Sequence, residues 1–267
     1  MINTRILVAI LATEESPWID IEKFGQDITW KMNPPTGTQV IRYTSEQKKD
    51  RVYFSSEILW NLSRFKILTR LKYLRSLKNY WNKYLNNLKP DIDQNGSTVL
   101  IHLPEAYSLI GLKTIKFFEY ALNNYQFEYL YRTNVSSYVD LSTLSKAVSA
   151  LNCESPIYGG VEGFEKETSF ASGSGYLIDR DSLKRVVSNK SKWDNFEIDD
   201  VALGKIIKNE LKLSVTKFKR TDIPFACQAN LSNVGISGVF HYRCKAKNAL
   251  ETIAIMKRIR ELLTNDI

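Results

Sequence analysis

Seven apolar residues in a row, positions 6–12 (ILVAILA), follow a short polar start and give way to Glu14 and Glu15. An apolar run without polar alternation predicts a strand covered on both faces. It is short for the core of a secretory signal, and no small-residue cleavage site follows. The turn-prone NPPTG leads to a second strand at 38–44. From 58 to 89 apolar residues recur at spacings of three and four: Leu62, Phe65, Ile67 or Leu68, Leu71, Leu74, Leu77, Trp81 and Leu85. This predicts one or two amphipathic helices, ended by Lys89-Pro90.

Beyond that, strands are expected at 97–105 after the Asn95-Gly96 turn and at 127–133. Strands or loop-flanked strands are expected at 155–161 and 171–180, with a late strand at 213–219. Helices are expected at 112–122 and 142–150, from a cap at Asp181 to Val187, and from Asp199 or Asp200 to Ile207. The last is expected at 249–263, with Leu250, Ile253, Met256, Ile259 and Leu263 on its apolar side. Alternation of strands and helices predicts an α/β fold: one domain over 1–267, a largely parallel central sheet flanked by helices, and a helical insertion at about 58–89. In such folds ligands bind at the carboxyl ends of the strands.

Charge changes the picture in one place. The chain has 37 Lys and Arg against 29 Asp and Glu, a net charge of +8. The whole excess lies between 58 and 89, in Arg64, Lys66, Arg70, Lys72, Arg75, Lys78, Lys83 and Lys89, with no acid among them. A solvated basic helix face is the plain reading. Peripheral contact with anionic lipid is a second. Nucleic-acid binding is a third, because Trp60, Tyr73, Tyr80, Trp81 and Tyr84 interleave with the cations. Hydrophobic residues make up 43% and no run spans a bilayer, so the chain is expected to be soluble and cytoplasmic. Three cysteines, widely spaced, build neither a disulfide framework nor a CxxC metal site.

The chain has no GxGxxG, P-loop or GxSxG motif, and its two histidines, His102 and His241, lack a neighbouring ligand set for zinc. Three stretches carry candidate chemistry. FASGSGYLIDRDSLKRV places Gly173 and Gly175 in a loop where a ligand or another backbone approaches closely, or in a tight turn. NFEIDDVALGKIIK sets Asp199 and Asp200 before a helix, as caps or as functional acids. GVFHYRCKAK gathers His241, Arg243, Lys245 and Lys247 at a cationic strand end or on a solvated patch.

Taken in order, four motifs between Ser97 and Gly204 resemble the β-1,3-galactosyltransferase and fringe-like glycosyltransferases (family 31), nucleotide-sugar enzymes with the GT-A fold. PEAYSLIGLKTIKFFEYAL resembles the family's acidic-x-Tyr segment followed by Leu-x-Leu-Lys-Thr, with Glu105, Tyr107, Lys113 and Thr114 in the matching places. YLYRTNVSSYVDL is similar to FVLKTDDDVFVNL, FASGSGYLIDRDSLKRV to YCSGGGYVLSRDLVRRL, and EIDDVALG to EDVYVG. The N-terminal third and the basic insertion match poorly, and the early Arg-x-x-Trp signature is missing.

The resemblance implies a transferase that moves a sugar from a nucleotide-sugar donor, UDP-linked in the family, to a glycan hydroxyl with inversion. It implies Asp200 as general base, with Glu197 as an alternative acid, and Asp199 as acceptor-orienting residue or helix cap. Gly173, Ser174 and Gly175 would lie beside donor and acceptor, and Lys113 on the donor side. His241 matches a late metal- or diphosphate-contacting histidine. The family's Asp-x-Asp, which holds Mn²⁺ or Mg²⁺ against the diphosphate, falls on Asn134, Val135 and Ser136. Asn134 and Ser136 offer only neutral oxygens, so weak Mn²⁺ or Mg²⁺ binding at most is expected and no cofactor is required. Two readings follow. In one, fixed cations replace the metal, with His241, Arg243 and Lys245 as candidates and Arg132 pointing off its strand end. In the other, catalysis is lost and a sugar- or nucleotide-binding module remains.

Overall fold

The computed structural model describes residues 3–64, 72–151, 155–223 and 238–265. The apolar run forms β1 (Asn3–Leu11), which pairs in parallel with β2 (Thr38–Glu46) and with β5 (Gln126–Asn134). Outward from β2 come parallel β4 (Thr98–Pro104) and antiparallel β3 (Ile92–Asn95). Outward from β5 come antiparallel β8 (Thr168–Asp179) and β7 (Tyr158–Glu165), then β9 (Thr216–Lys217), parallel to β7. The sheet order is β3-β4-β2-β1-β5-β8-β7-β9. A second sheet joins β10 (Thr221–Asp222), β11 (His241–Arg243) and β6 (Ser137–Val139).

The unbroken apolar run of β1 is explained by two cores, one on each face. Leu7 and Ala9 pack with Leu112, Ile115 and Phe118 of α4 (Ile110–Asn124), Leu183 of α6 (Arg180–Ser188) and Leu203 of α7 (Asp199–Ile206). Ile6, Val8 and Ile10 pack with Ile21 of α1 (Trp18–Ile21), Leu144 of α5 (Leu141–Ser149) and Met256 of α8 (Ala249–Asn265). Successive strand residues face opposite ways, so a central strand must be apolar on both. The expected α/β class, a central sheet with helices on both faces, is what the chain forms.

Among the described residues the basic segment contributes to two helices, α2 (Arg51–Arg64) and α3 (Lys72–Asn87). The first starts before position 58 because Asp50 caps it, its Oδ1 accepting from the N–H groups of Val52 (2.8 Å) and Tyr53 (3.0 Å). Phe65, Ile67, Leu68 and Leu71 of the expected stripe lie outside the described residues. Three local expectations are corrected. Leu77 is exposed rather than part of the apolar seam, which continues through Trp81 and Leu85. Asp179, not Asp181, caps α6 by accepting from Ser182 N–H at 2.8 Å. Leu250 points to solvent from the first turn of α8, at 79% exposure. Among the described residues no helix is long and apolar enough to cross a membrane.

Candidate active site

The parallel strands β1, β4 and β5 end on the same side of the sheet, and a cavity of about 230 Å³ opens there. Leu11 and Ala12 at the end of β1 line it, with Asn134, Val135 and Ser136 at the end of β5. Its floor holds an ion pair: Lys113 Nζ donates to Glu105 Oε1 (2.8 Å) and Oε2 (2.9 Å) and to the Ala12 carbonyl (3.2 Å). Ser45 Oγ donates to the same carboxylate at 2.8 Å. Burial pulls the Lys113 ammonium below its ordinary value, and Glu105 opposes that pull. Two large aromatic residues stay partly exposed at this cavity, Trp18 at 40% and Tyr107 at 55%.

Beside it, Asp200 is anchored to the sheet. Its Oδ2 accepts from Gly173 N–H (2.7 Å) in β8, and its Oδ1 accepts from Val201 N–H (2.8 Å). Gly173 is required by crowding rather than by a turn: a Cβ there would sit 2.9 Å from Asp200 Oδ2 and 3.1 Å from Arg132 Nη1. The carboxyl is pushed up to about 6, by burial first and then by the charge of Asp199. Hydrogen bonds to the charged form and the Arg132 guanidinium oppose the rise without cancelling it.

Asp199 does a different job from the one expected. It is buried and neither caps α7, whose N-cap is Ile198, nor faces an open acceptor site. Arg132 Nη2 donates to its Oδ2 at 2.6 Å, and Thr114 Oγ1 donates to the same oxygen at 3.3 Å. The expectation that Arg132 points off the strand end is wrong. Its side chain lies in the core, donates to the Gly173 carbonyl and to Tyr43 Oη (3.3 Å), and faces the Tyr176 ring. Arg132 therefore fixes both the backbone that holds Asp200 and the neighbouring acid that tunes it. Glu197, the alternative acid, is taken by Lys205 at 2.5 Å.

The glycine motif is the middle of β8, not a loop. Ser174 is buried: its carbonyl accepts from Thr133 Oγ1 (2.8 Å) and Ser137 Oγ (3.1 Å), and Arg220 Nη1 reaches its hydroxyl at 2.6 Å. Gly175 lies under the ring of His241, whose Nδ1 would be 2.7 Å from a Cβ at that position. Neither is free to touch a substrate. His241 is likewise a correction. It is buried, accepts from or donates to Ser137 Oγ at 3.1 Å, and burial with Arg220 and Arg243 nearby pulls it down to about 3. At neutral pH it carries no charge and supplies no cation. Arg243 is half-buried at the end of β11, and Lys245 is exposed beyond it. Arg220 is a second cation on this motif beside Arg132, bonded to Ser174, to Ser172 (3.2 Å) and to Asp222 (2.8 Å). It lies just past the predicted late strand and carries no motif of its own.

The three positions that match the family's metal triplet form a closed turn. Asn134 Oδ1 accepts from Ser136 N–H (3.2 Å) and Ser136 Oγ (3.0 Å), and lies 3.1 Å from Ser137 Oγ, whose one proton it shares with the Ser174 carbonyl. With its one carbonyl oxygen already taken and no carboxylate beside it, this donor set does not fit a hard divalent cation.

No family model matches the chain. A stretch of 135 residues is 22% identical to the human UDP-GalNAc:beta-1,3-N-acetylgalactosaminyltransferase 2, covering 44% of this chain and 27% of that protein. A stretch of 138 residues is 22% identical to hydroxyproline O-galactosyltransferase GALT2 of Arabidopsis thaliana, covering 44% and 20%. The chain thus matches only about a quarter of the length of these curated relatives. Over part of its length it is similar to glycosyltransferases. Among solved structures, a glycosyltransferase involved in glycosylation of the major capsid of PBCV-1 superposes with a TM-score of 0.44 at 10% identity, over 95% of this chain and 99% of that one. GlyE of Streptococcus pneumoniae TIGR4 superposes at 0.42 and 9% identity, over 99% and 64%.

Proposed function

We propose that this chain is an inverting glycosyltransferase of GT-A type that moves a hexose or pentose from a nucleotide-sugar donor, UDP-linked, to a hydroxyl of a glycan acceptor. The observation that carries the reading is the Asp200 carboxylate, held by two backbone N–H groups and raised to about 6 by burial and by Asp199. A base of that strength is ionised at neutral pH yet takes a proton readily, as general-base catalysis requires. The similarity to two sugar transferases supports the same class.

In this reading the donor nucleotide enters the cavity at the ends of β1 and β5. Trp18 and Tyr107 flank its base, and the Glu105–Lys113 pair and the Asn134–Ser136 turn line its path. The acceptor oxygen attacks the anomeric carbon from the face opposite the diphosphate and gives its proton to Asp200. The bond from the anomeric carbon to the diphosphate oxygen breaks, and the nucleoside diphosphate leaves with the electron pair. Arg220, bonded to the Ser172 and Ser174 hydroxyls, takes the place first assigned to His241 as a fixed cation acting on charge that develops on the leaving group. No step runs through a metal ion. Arg132 is a positioning residue, acting through Asp199 and the Gly173 backbone.

Release of nucleoside diphosphate, measured across a panel of nucleotide sugars, tests the proposal. Turnover is expected to survive excess chelator and to vanish in Asp200→Asn while nucleotide binding persists. A fully active Asp200→Asn variant would overturn the base assignment. Loss with chelator and recovery with Mn²⁺ would overturn the metal-free mechanism.

A further inference from the structure

The far end of α4 carries a second constellation. The helix runs from the carboxyl edge of the sheet, just after β4, back to the amino edge, where Asn124 precedes β5. A cavity of about 360 Å³ lies against this distal end, away from Asp200. Lys116 is almost wholly buried in it, with Nζ 3.2 Å from the Asn86 carbonyl and 3.3 Å from Glu119 Oε2. Lys190 pairs with the same Glu119, and Lys89 lines the cavity as a third ammonium. Two of these three cations therefore share one carboxylate, and the third brings no acid of its own to the lining. Burial, with further repulsion from Lys190 and Lys89, holds Lys116 below its ordinary value despite Glu119. An entering oxyanion would relieve that repulsion and meet donors already in place.

The cavity also continues into a shallow groove along α3, with Asn87 and Lys89 common to both. The groove presents Tyr80, exposed at 68%, and Tyr84, at 40%, one helical turn apart. Their rings offer apolar faces beside polar edges, as a sugar ring does. We propose that cavity and groove form a second binding site, remote from the transfer centre, for a saccharide carrying an oxyanion substituent such as a phosphate ester or a carboxylate. A flat anionic membrane would meet the exposed residues but not the recessed Lys116, which favours a discrete ligand.

The test needs no turnover and so stands apart from the transferase reading. Calorimetry on the full chain would compare glucose 6-phosphate, glucuronate, neutral glucose, inorganic phosphate and vesicles rich in phosphatidylserine. The two sugar acids are expected to bind and glucose not to. Lys89→Gln/Lys190→Gln, at surface positions that leave folding intact, is expected to raise Kd at least about tenfold. Tyr80→Ala/Tyr84→Ala is expected to weaken the sugar acids but not inorganic phosphate. Nucleotide binding is expected to be unchanged in both variants. Equal affinity for inorganic phosphate and glucose 6-phosphate would overturn the saccharide assignment. Vesicle binding that the lysine variant abolishes, without sugar-acid binding, would assign the face to membrane instead. Absence of all binding, or sugar-acid binding untouched by the lysine changes, would overturn the site.

Discussion

Protonation of Asp200 is expected to switch off transfer with a midpoint near pH 6. Its carboxyl rises from an ordinary 3.8 to about 6, chiefly through burial and then through Asp199. About nine tenths of the base is ionised at pH 7 and about one tenth at pH 5, so kcat/KM falls about tenfold per pH unit below the midpoint. The same displacement links stability to pH. The folded chain binds this proton more tightly than the unfolded chain does. Stability from this group therefore declines as pH rises from about 4 to about 6, and is level above that window. The full cost of ionised Asp200 at pH 7 is at most roughly 3 kcal/mol, less whatever its partial exposure screens. Asp200→Asn removes that cost but sets an amide NH₂ against one of two backbone N–H groups, a loss of about 1–3 kcal/mol. The variant is thus expected within about 2 kcal/mol of the parent in urea denaturation, yet without turnover. Carboxyl ¹³C titration of parent and variant identifies the group directly. A midpoint near 4, or kcat/KM flat from pH 5 to 7, would refute the reasoning.

Three further outcomes are expected. Asp199→Ala strands the Arg132 charge in the core and should cost about 3–5 kcal/mol in urea denaturation, whereas the apolar pair Arg132→Met/Asp199→Leu should recover most of it. Gly175→Ala drives a methyl into the His241 ring and the Tyr131 hydroxyl; the loss should be about 1–3 kcal/mol, and His241→Ala in the same chain should restore part of it. Trp18→Ala or Tyr107→Ala should weaken UDP binding about tenfold in calorimetry if each ring flanks the base; unchanged affinity in both would remove the nucleotide from this cavity.

The layout of the sheet was legible because apolar runs and turn signals respect strand and helix periods, and β1 shows its two-sided burial in its composition. The role of Arg132 was not. Periodicity assigns a charged residue to a solvent face, but β5 is covered on both sides, and Tyr131, Arg132 and Thr133 are all buried. One hint was present: two adjacent acids open α7, the helix buries one of them, and a buried carboxylate calls for a cation. His241 misled for the converse reason. Its neighbours Arg243, Lys245 and Lys247 suggested a charged strand end, while the ring itself fills the space left open by Gly175, a pairing invisible along the chain. Asp200 was singled out by motif order, where local pattern alone reads it as a helix cap.

The ring of Trp60, buried in α2, meets Tyr107 edge-on, with centroids 5.9 Å apart and planes at 79°. The basic insertion is therefore a buttress for one wall of the cavity at the strand ends and not a detachable appendage. Trimming it to a short loop would remove charge and also let that wall relax. No described residue of α2 lines the cavity, so a substitution at Trp60 is expected to reach it only through Tyr107.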